Sequence, residues 1–493
     1  MIGKGIKEDM DWEKPKRLLW KLAIFYWVMV IMIYAIAHEQ FQYQPLATSA
    51  YTPAFHIGEI TDGVEVRQRV VSPTDRLDAI QLMAGTFGRE NSGLMRLALL
   101  DETGAEVARG SIPVAGLVES QFVSVPLEQP LENCKNRTLT LLITTEGCET
   151  GSAVTLYAGN MISTGRIDIA QQIEDADLFR LNGETGAGAL CVTLSGTNLL
   201  NFHITYWVIV VGVFAIAAVY TLIAGRGARQ GRANMLALLM NTFCHYDFMI
   251  RQLVARDFKT KYKRSVLGMF WSFLNPLLTM AVQYVVFSTL FRSNIPNFPV
   301  YLIVGIVLFN FFSEAVSVGM TAITSNAALI KKVYMPKYIY PVSKILSSLV
   351  NFALALVPML LVIIITGTPL RPSFLLLLFD ILCLVGFVMG MALLLSTAMT
   401  FFQDMQFLWS VISMMWMYLT PLFYPESIIP VKYQTLYHMN PMYQYISFAR
   451  ICIIDGISPA PVFYFRCILC AAVALLLGLW VFKRNQDKFV LYL

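Results

Sequence analysis

Eight apolar stretches of roughly 20 residues, each long enough to cross a bilayer as a helix, leave this chain few folds to choose from. They cover about Leu18–Ala37, Ile204–Ala224, Leu267–Phe291, Val300–Ile323, Val342–Thr366, Phe374–Met399, Phe407–Phe423 and Val462–Phe482. Lipid offers no hydrogen bonds, so a spanning segment must satisfy its own backbone, and runs of this length become helices. Composition agrees. Hydrophobic residues make up 56% and charged residues 14%, with mean hydropathy +0.59, where a soluble domain is near half apolar and a quarter charged. The chain reads as an α-helical polytopic membrane protein.

Cations set its orientation. Lys4, Lys7, Lys14, Lys16, Arg17 and Lys21 precede or enter the first span. Arg226, Arg229 and Arg232 follow the second, Lys331, Lys332 and Lys337 follow the fourth, and Lys483, Arg484 and Lys488 follow the last. The positive-inside bias makes these segments cytoplasmic and places both termini inside. The first span is followed by His38-Glu39-Gln40-Phe41 rather than by a small-residue cleavage site, so it reads as an anchor.

Between the first two spans the chemistry reverses. Residues 39–202 carry 20 acidic and 10 basic side chains and no membrane-length apolar run. Alternating stretches recur at Val64–Val71, Leu94–Leu100 and Thr138–Thr144, separated by turn sequences such as Asp101-Glu102-Thr103-Gly104 and Glu146-Gly147. Period-two alternation broken every ten or so residues predicts an antiparallel sandwich. About 160 residues suffice for an independent core. Cys134 and Cys148 flank one predicted strand; a bridge between them is conceivable, although a strand across that interval holds their Cα atoms far apart. The remaining cysteines and the five histidines form no metal-ligand spacing.

A basic amphipathic helix precedes the third span and is expected to run into it without a break. Ile250, Val254, Phe258, Tyr262 and Val266 recur every fourth residue, while Arg251, Arg256, Lys259, Lys263 and Arg264 fall largely on the other faces. Such a helix lies in the membrane interface with its cations at headgroup level. It serves either as a plain anchor or as a docking element. The sequence holds no G-x-x-x-x-G-K-[ST] phosphate loop, and no inner loop is long enough for a nucleotide-binding domain. Energy from ATP would have to come from another chain.

From about Asp247 onward the chain resembles the permease subunits of ABC-2-type polysaccharide exporters. The landmarks are Leu253 to Lys263 with Ser265, Leu267-Gly268 and Trp271, then Asn310-Phe311-Phe312-Ser313-Glu314. Asn326 to Pro336, Thr420-Pro421 and Asn440-Pro441 follow in order. The chain departs from the family pattern at Met335, usually aromatic, at Tyr338, usually acidic, and at Gln403, usually arginine. Thr86 to Gly93, followed by alternating strands, is similar to jelly-roll modules related to carbohydrate-binding folds.

The resemblance implies a permease working as a homodimer with a separate ATPase. The substrate would be a lipid-linked surface glycan such as an O-antigen or teichoic acid, crossing the bacterial cytoplasmic membrane. ATP and Mg would sit on the ATPase; this chain would bind no cofactor and no nucleic acid. The expected organisation is a tail (1–17), an anchor (18–37), an outer jelly-roll-like β-sandwich (38–203) and a second anchor (204–224). A linker with the interface helix (225–266), a six-helix permease domain (267–482) and a tail (483–493) complete it.

Ser325-Asn326 can cap a short helix from Ala327 to Met335, which Pro336 stops. In the resembling family this is the ATPase-coupling helix, implicating Leu329, Lys331, Lys332, Tyr334, Met335, Pro336 and Lys337. The interface helix would meet lipid phosphate through Arg256, Lys259, Lys261, Tyr262, Lys263 and Arg264. Glu314, midway along its span, must be paired, protonated or turned inward; bonding across helices and substrate contact both satisfy that. Trp409, Ser413, Trp416 and Thr420 share one face of their span, and aromatic rings suit sugar faces. Trp271, Phe312, Glu314, Trp409, Trp416 and Tyr424 are therefore the candidates to line a glycan tunnel. Other readings are an ABC-2 exporter of small molecules or lipids, or a membrane sensor using the outer domain as receptor.

Overall fold

A computed structural model describes residues 13–47, 51, 53–163, 168–170, 177–200, 202–229, 243–263, 266–291, 297–332, 335–424 and 437–492. The chain divides into two units, Phe41–Phe202 and the remainder.

In the larger unit, helices α1 (Glu13–Gln42) and α2 (Phe202–Arg229) cover the two expected anchors and are long and apolar enough to cross a membrane. They pair through aromatic side chains: the Tyr26 hydroxyl donates to the Val210 carbonyl at 2.9 Å, and Tyr206 to Val30 at 2.8 Å. Next come α3 (Asp247–Tyr262), α4 (Phe270–Phe291) and α5 (Phe298–Met320). The short α6 (Ala322–Ser325) and α7 (Ala327–Lys332) lead into α8 (Ile339–Ile365). The chain then forms α9 (Leu377–Phe401), α10 (Met405–Leu419), α11 (Pro441–Arg450) and α12 (Pro461–Asn485), closed by α13 (Phe489–Tyr492). Helix α5 is the most enclosed of the long helices and forms the centre of the bundle. Between α9 and α12 the backbones meet where Gly390 faces Gly478; a Cβ on either would strike the other helix's backbone. Small residues at such a crossing allow the close approach that replaces hydrophobic drive in lipid.

Three expectations change. Among the described residues seven helices are long and apolar enough to cross a membrane. The eighth expected span, Phe407–Phe423, is instead the 15-residue α10. Pro421 lacks the amide a continuing helix needs, so the helix stops before it; at 1.5 Å per residue it measures about 22 Å. The interface helix does not run unbroken into the next span. It ends at Tyr262, Lys263 is extended, and Gly268 turns the chain with φ +51° before α4 begins. The coupling helix is also shorter than Ala327–Met335: α7 ends at Lys332, and Met335 lies outside any helix.

The smaller unit is one antiparallel sheet curled around its core. Its main strands are β1 (Tyr43–Ala47), β2 (Val66–Val71), β3 (Arg76–Gly85), β4 (Leu94–Leu100) and β5 (Glu106–Pro113). They continue with β6 (Gln121–Glu132), β7 (Thr138–Glu146), β8 (Thr155–Gly159) and β9 (Val192–Leu199). The order is β1-β9-β3-β6-β5-β4-β7-β2. The two halves of the expected sandwich join at β5–β6, through Gly110 opposite Leu127. Burial alternates as the sequence predicts: Leu139, Leu141 and Ile143 of β7 face a core shared with Leu77, Ile80, Leu97 and Val125. The Asp101–Gly104 turn forms as read, with Asp101 Oδ1 accepting from the Thr103 and Ala105 amides at 2.9 and 3.0 Å. Cys134, Cys148 and Cys191 are buried, unbridged thiols.

Candidate functional site

The apolar stripe of α3 builds the first part of the site. Ile250 and Leu253 pack with Ala322 and Ile323 of α6, with Met335, with Ile339 and Tyr340 at the start of α8, and with Phe482 and Phe489 near the chain's end. Leu329 packs against the same cluster. The interface helix, the α6–α7 loop and the C-terminal helices therefore share one core.

Polar contacts then tie the pieces together. Arg256 Nη2 reaches Asp257 Oδ1 at 2.9 Å and Asn326 Oδ1 at 3.2 Å. The other oxygen of Asp257 lies 2.9 Å from Lys344 Nζ on α8, and that pair is largely shielded from solvent. Removing one partner of a shielded pair strands the other, which makes the link costly to break. Asn326 does not cap α7 with its side chain as the sequence suggested. Its amide group turns back to the Ala322 carbonyl at 2.8 Å, leaving the oxygen for Arg256. Arg256, about half exposed, thus reaches the loop through Asn326, 70 residues further along the chain.

At the other end of α3 lies a cavity of about 400 Å³ bounded by α3, α4, α5 and α8. Lys261 and Tyr262 enter it from α3, facing Trp271, Asn275, Asn310 and Glu314. Lys261 Nζ sits 2.6 Å from Glu314 Oε1, and Asn351 Nδ2 donates to the same oxygen at 3.3 Å. Tyr262 donates its hydroxyl proton to Asn351 Oδ1 at 2.9 Å and also bonds Ser272. Glu314 is therefore paired across helices, which satisfies the charge its mid-span position demands. The Lys261–Glu314 pair is 41% exposed on each side, so it holds weakly and can exchange partners.

The other candidates separate. Lys331 and Lys332 stand exposed on α7, whereas Lys337 turns inward, donating to the Gln486 carbonyl at 2.5 Å beside the Phe489 ring. Burial lowers the Lys337 ammonium pKa. Met335 is buried and Pro336 partly so. Lys259 and Lys263 are exposed on and just after α3. Tyr334 and Arg264 lie outside the described residues.

Among the expected tunnel residues, only Trp271 and Glu314 line this cavity. Phe312 and Trp409 are enclosed and form an aromatic group with Trp416 and Phe387, with Phe312–Trp416 centroids 5.1 Å apart. Trp416 Nε1 donates to Asn440 Oδ1 at 2.8 Å, and the Tyr424 hydroxyl donates to the Tyr418 carbonyl at 2.9 Å. These rings pack helices α5, α9 and α10 together.

Sequence reasoning passed over Lys344, Ser348 and Asn351. Their signal is a polar stripe at spacings of four and three in the otherwise apolar α8, the pattern of a helix face turned to a polar interior. Arg450 was also missed. It lies buried on α11 and donates to the carbonyls of Pro421 at 2.7 Å, Leu422 at 3.1 Å and Tyr301 at 3.1 Å.

Comparison with known proteins adds the family. Residues 249–454 match the family described as ABC-2 type transporter. The chain is 34% identical over 193 residues to the O-antigen export system permease protein RfbA of Myxococcus xanthus, covering 39% of this chain and 74% of that protein. A permease of the same name from Klebsiella pneumoniae is 29% identical over 250 residues, 50% of this chain and 94% of its own length. The polysialic acid transport protein KpsM of Escherichia coli is 22% identical over 248 residues, 49% of this chain and 95% of its own.

Proposed function

This chain belongs to the ABC-2 type transporter family, and from that premise we propose that it is the permease subunit of a bacterial surface-polysaccharide exporter, powered by ATP and Mg on a separate ATPase. The observation that carries the reading is the continuity of α3. Its first half packs on α6 through Ile250 and Leu253, its middle is tied to the α6–α7 loop through Arg256 and Asn326, and its C-terminal end puts Lys261 and Tyr262 into the cavity. A push on Lys331 and Lys332 from a cytoplasmic partner would reach the shared apolar cluster and move α3 as a rigid rod. The Lys261–Glu314 pair lies at the far end of that rod.

A cavity of about 400 Å³ suits one headgroup-sized moiety and not a polymer. We assign it to the phosphate of a lipid-linked substrate, which would draw Lys261 from Glu314 and take further charge from Lys259 and Lys263. Each such cation contributes on the order of 1 kcal/mol towards an anionic headgroup. Arg256 acts as a positioning residue, holding α3 to the loop. The polymer itself requires a wider path. Among the described side chains of α4 only Pro276 is buried, and α10 exposes Phe407, Val411 and Met414, so a second copy against these apolar faces would complete a tunnel.

Lys331→Glu with Lys332→Glu tests the coupling. Both side chains are exposed, so the variant should reach the membrane at normal levels, yet fail to copurify the ATPase and fail to export, with lipid-linked glycan accumulating inside. Normal export by this variant would sink the assignment of α7. Arg256→Lys sharpens the positioning role: one ammonium cannot hold Asp257 and Asn326 in the fork a guanidinium provides. It should lower export several-fold while ATPase docking persists.

A further inference from the structure

The outer unit contains a loop pair whose backbone is held in an unfavourable shape in order to present an aromatic ring. Among the described residues six non-glycine residues have φ in the left-handed region; four are asparagine, which tolerates it, and the others are Phe87 and Ser120. For a bulky residue this conformation is a true outlier, and such outliers persist where the surroundings over-determine them, often at binding sites. Both lie at the same end of the sheet. Glu119 stitches their loops together: its Oε2 accepts from the Thr86 amide at 2.6 Å, the Thr86 hydroxyl at 2.9 Å and the Gly88 amide at 3.3 Å. Its Oε1 accepts from the Tyr157 hydroxyl at 2.9 Å. These bonds hold the Glu119 carboxyl down at about 2, with the Tyr157 hydroxyl the largest cause. Asn91, itself buried, locks the same loop by donating to the Thr86 carbonyl at 3.1 Å.

What this scaffold presents is specific in kind. The Phe87 ring is 40% exposed. The His56 ring meets it edge-on at 5.3 Å, and the Arg89 guanidinium lies 5.1 Å from its centroid. Arg89 is paired with Glu59. An open aromatic face beside a guanidinium–carboxylate pair and an imidazole offers a platform for C–H groups with hydrogen-bonding groups at its rim. A pyranose ring has that dual character, whereas an apolar peptide anchor would strip water from the Arg89–Glu59 pair and the imidazole without offering hydrogen bonds in return. The segments 56–59, 86–91 and 116–121 carry three carboxylates, Glu59, Glu90 and Glu119, against one guanidinium, Arg89. That balance disfavours acidic sugars. Position also fits a site for an extended ligand. Strand β3 spans ten residues, about 33 Å, from Arg76, close to where β1 and β9 bring the unit's two chain ends together, to Gly85, where this loop begins. The ring therefore stands at the end remote from both chain ends.

We propose that the Phe87 loop is a saccharide-binding site for neutral or amino hexopyranose units, with the sugar stacked on Phe87 and its hydroxyls bonded by Arg89, Glu59 and His56. The inference deepens the exporter reading and rests on it for the source of the glycan. The test uses the full-length protein in lipid nanodiscs, applied to a printed array of neutral, amino and acidic bacterial saccharides, with affinities then measured for soluble fragments of the saccharides retained. Wild type should retain neutral or amino saccharides. Phe87→Gly should weaken them at least about tenfold, the size expected for losing an aromatic platform, while melting no lower than wild type because glycine relieves the left-handed backbone. Phe87→Tyr should stay within about threefold, since the ring is retained. No saccharide retained, preference for acidic ones, or unchanged affinity in Phe87→Gly would each overturn the site. Coupling through Lys331 and Lys332 is measured on the same preparations with the ATPase, so a failed array with intact coupling removes this inference and leaves the exporter reading standing.

Discussion

The β unit and the helical unit are built from the same residue types turned in opposite directions. The sheet hides an apolar core and leaves its ion pairs in water: Arg67–Glu65 and Arg109–Glu128 are about half exposed or more. The helical unit does the reverse. Ile216, Ile365 and Leu476 are among its most exposed side chains, while Lys344, Asp257, Asn351 and Arg450 turn inward. In water, burial of apolar surface supplies about 25 cal/mol per Å², so the sheet's core rests mainly on that burial, with a few buried polar groups such as Gln68 and Asn91 bonded to backbone. In lipid that drive vanishes between helices, and the unit depends on close glycine crossings and on polar groups that find partners only inside.

The largest effect should follow from removing one of those inner partners. Arg450→Met nearly keeps the volume but removes the buried charged donor that bonds the carbonyls of Pro421, Leu422 and Tyr301, of which Pro421 retains the Tyr301 hydroxyl at 3.1 Å. Hydrogen bonds from a charged group contribute about 1.5–3 kcal/mol each, so losing those to three carbonyls should cost at least about 3 kcal/mol in total. Thermal unfolding in detergent followed by helical circular dichroism measures it. A shift under about 1 kcal/mol would break the claim that interior polar contacts hold the helical unit.

An intermediate effect separates the two solvents directly. Ile216, 72% exposed on α2, and Val71, 52% exposed on β2, are both apolar and open. Aspartate at position 216 should cost about 2.5–3.5 kcal/mol and lower membrane accumulation. Aspartate at position 71 should cost under about 1 kcal/mol and leave accumulation unchanged. Equal effects at both positions would mean that the exposed face of α2 is not meeting lipid.

The same contrast explains what could be read from sequence. Alternation at Leu139, Leu141 and Ile143 is visible because one face of the sheet meets water, and long apolar runs are visible because lipid demands them. The break at Gly268 and the early end of α10 are less so, since an apolar composition continues across both. Arg256 looks like a headgroup cation on its helix; only the fold brings Asn326 beside it and sets Lys344 on Asp257. The Phe87 loop is the extreme case. His56, which meets the ring, and Glu119 and Tyr157, which hold its loop, are each about 30 residues or more from Phe87, and no local pattern announces that they meet. The aromatic stripe of α10 misleads in the other direction, because packing and glycan contact ask for the same residues.

The smallest effect belongs to Glu119, an exposed anion that water would stabilise anyway. Its carboxyl falls from an ordinary 4.5 to about 2 because Tyr157, Thr86 and Gly88 donate to the charged form, with partial burial opposing them. A depressed folded pKa means that its contribution is fully present above about 4.5 and is lost as pH falls towards about 2, since the proton then displaces the donors. Global stability should scarcely register this, but the Thr86 and Gly88 amides should. Their hydrogen exchange, corrected for its intrinsic pH dependence, should show protection at neutral pH that fades through that window. Glu119→Gln, a neutral acceptor, should show weaker protection with no such fade. Protection that persists unchanged to pH 2 in the native chain would mean that something other than Glu119 holds the left-handed backbone at Phe87. The loop's shape would then no longer set the β unit apart as a place where water-exposed charge is used to fix geometry.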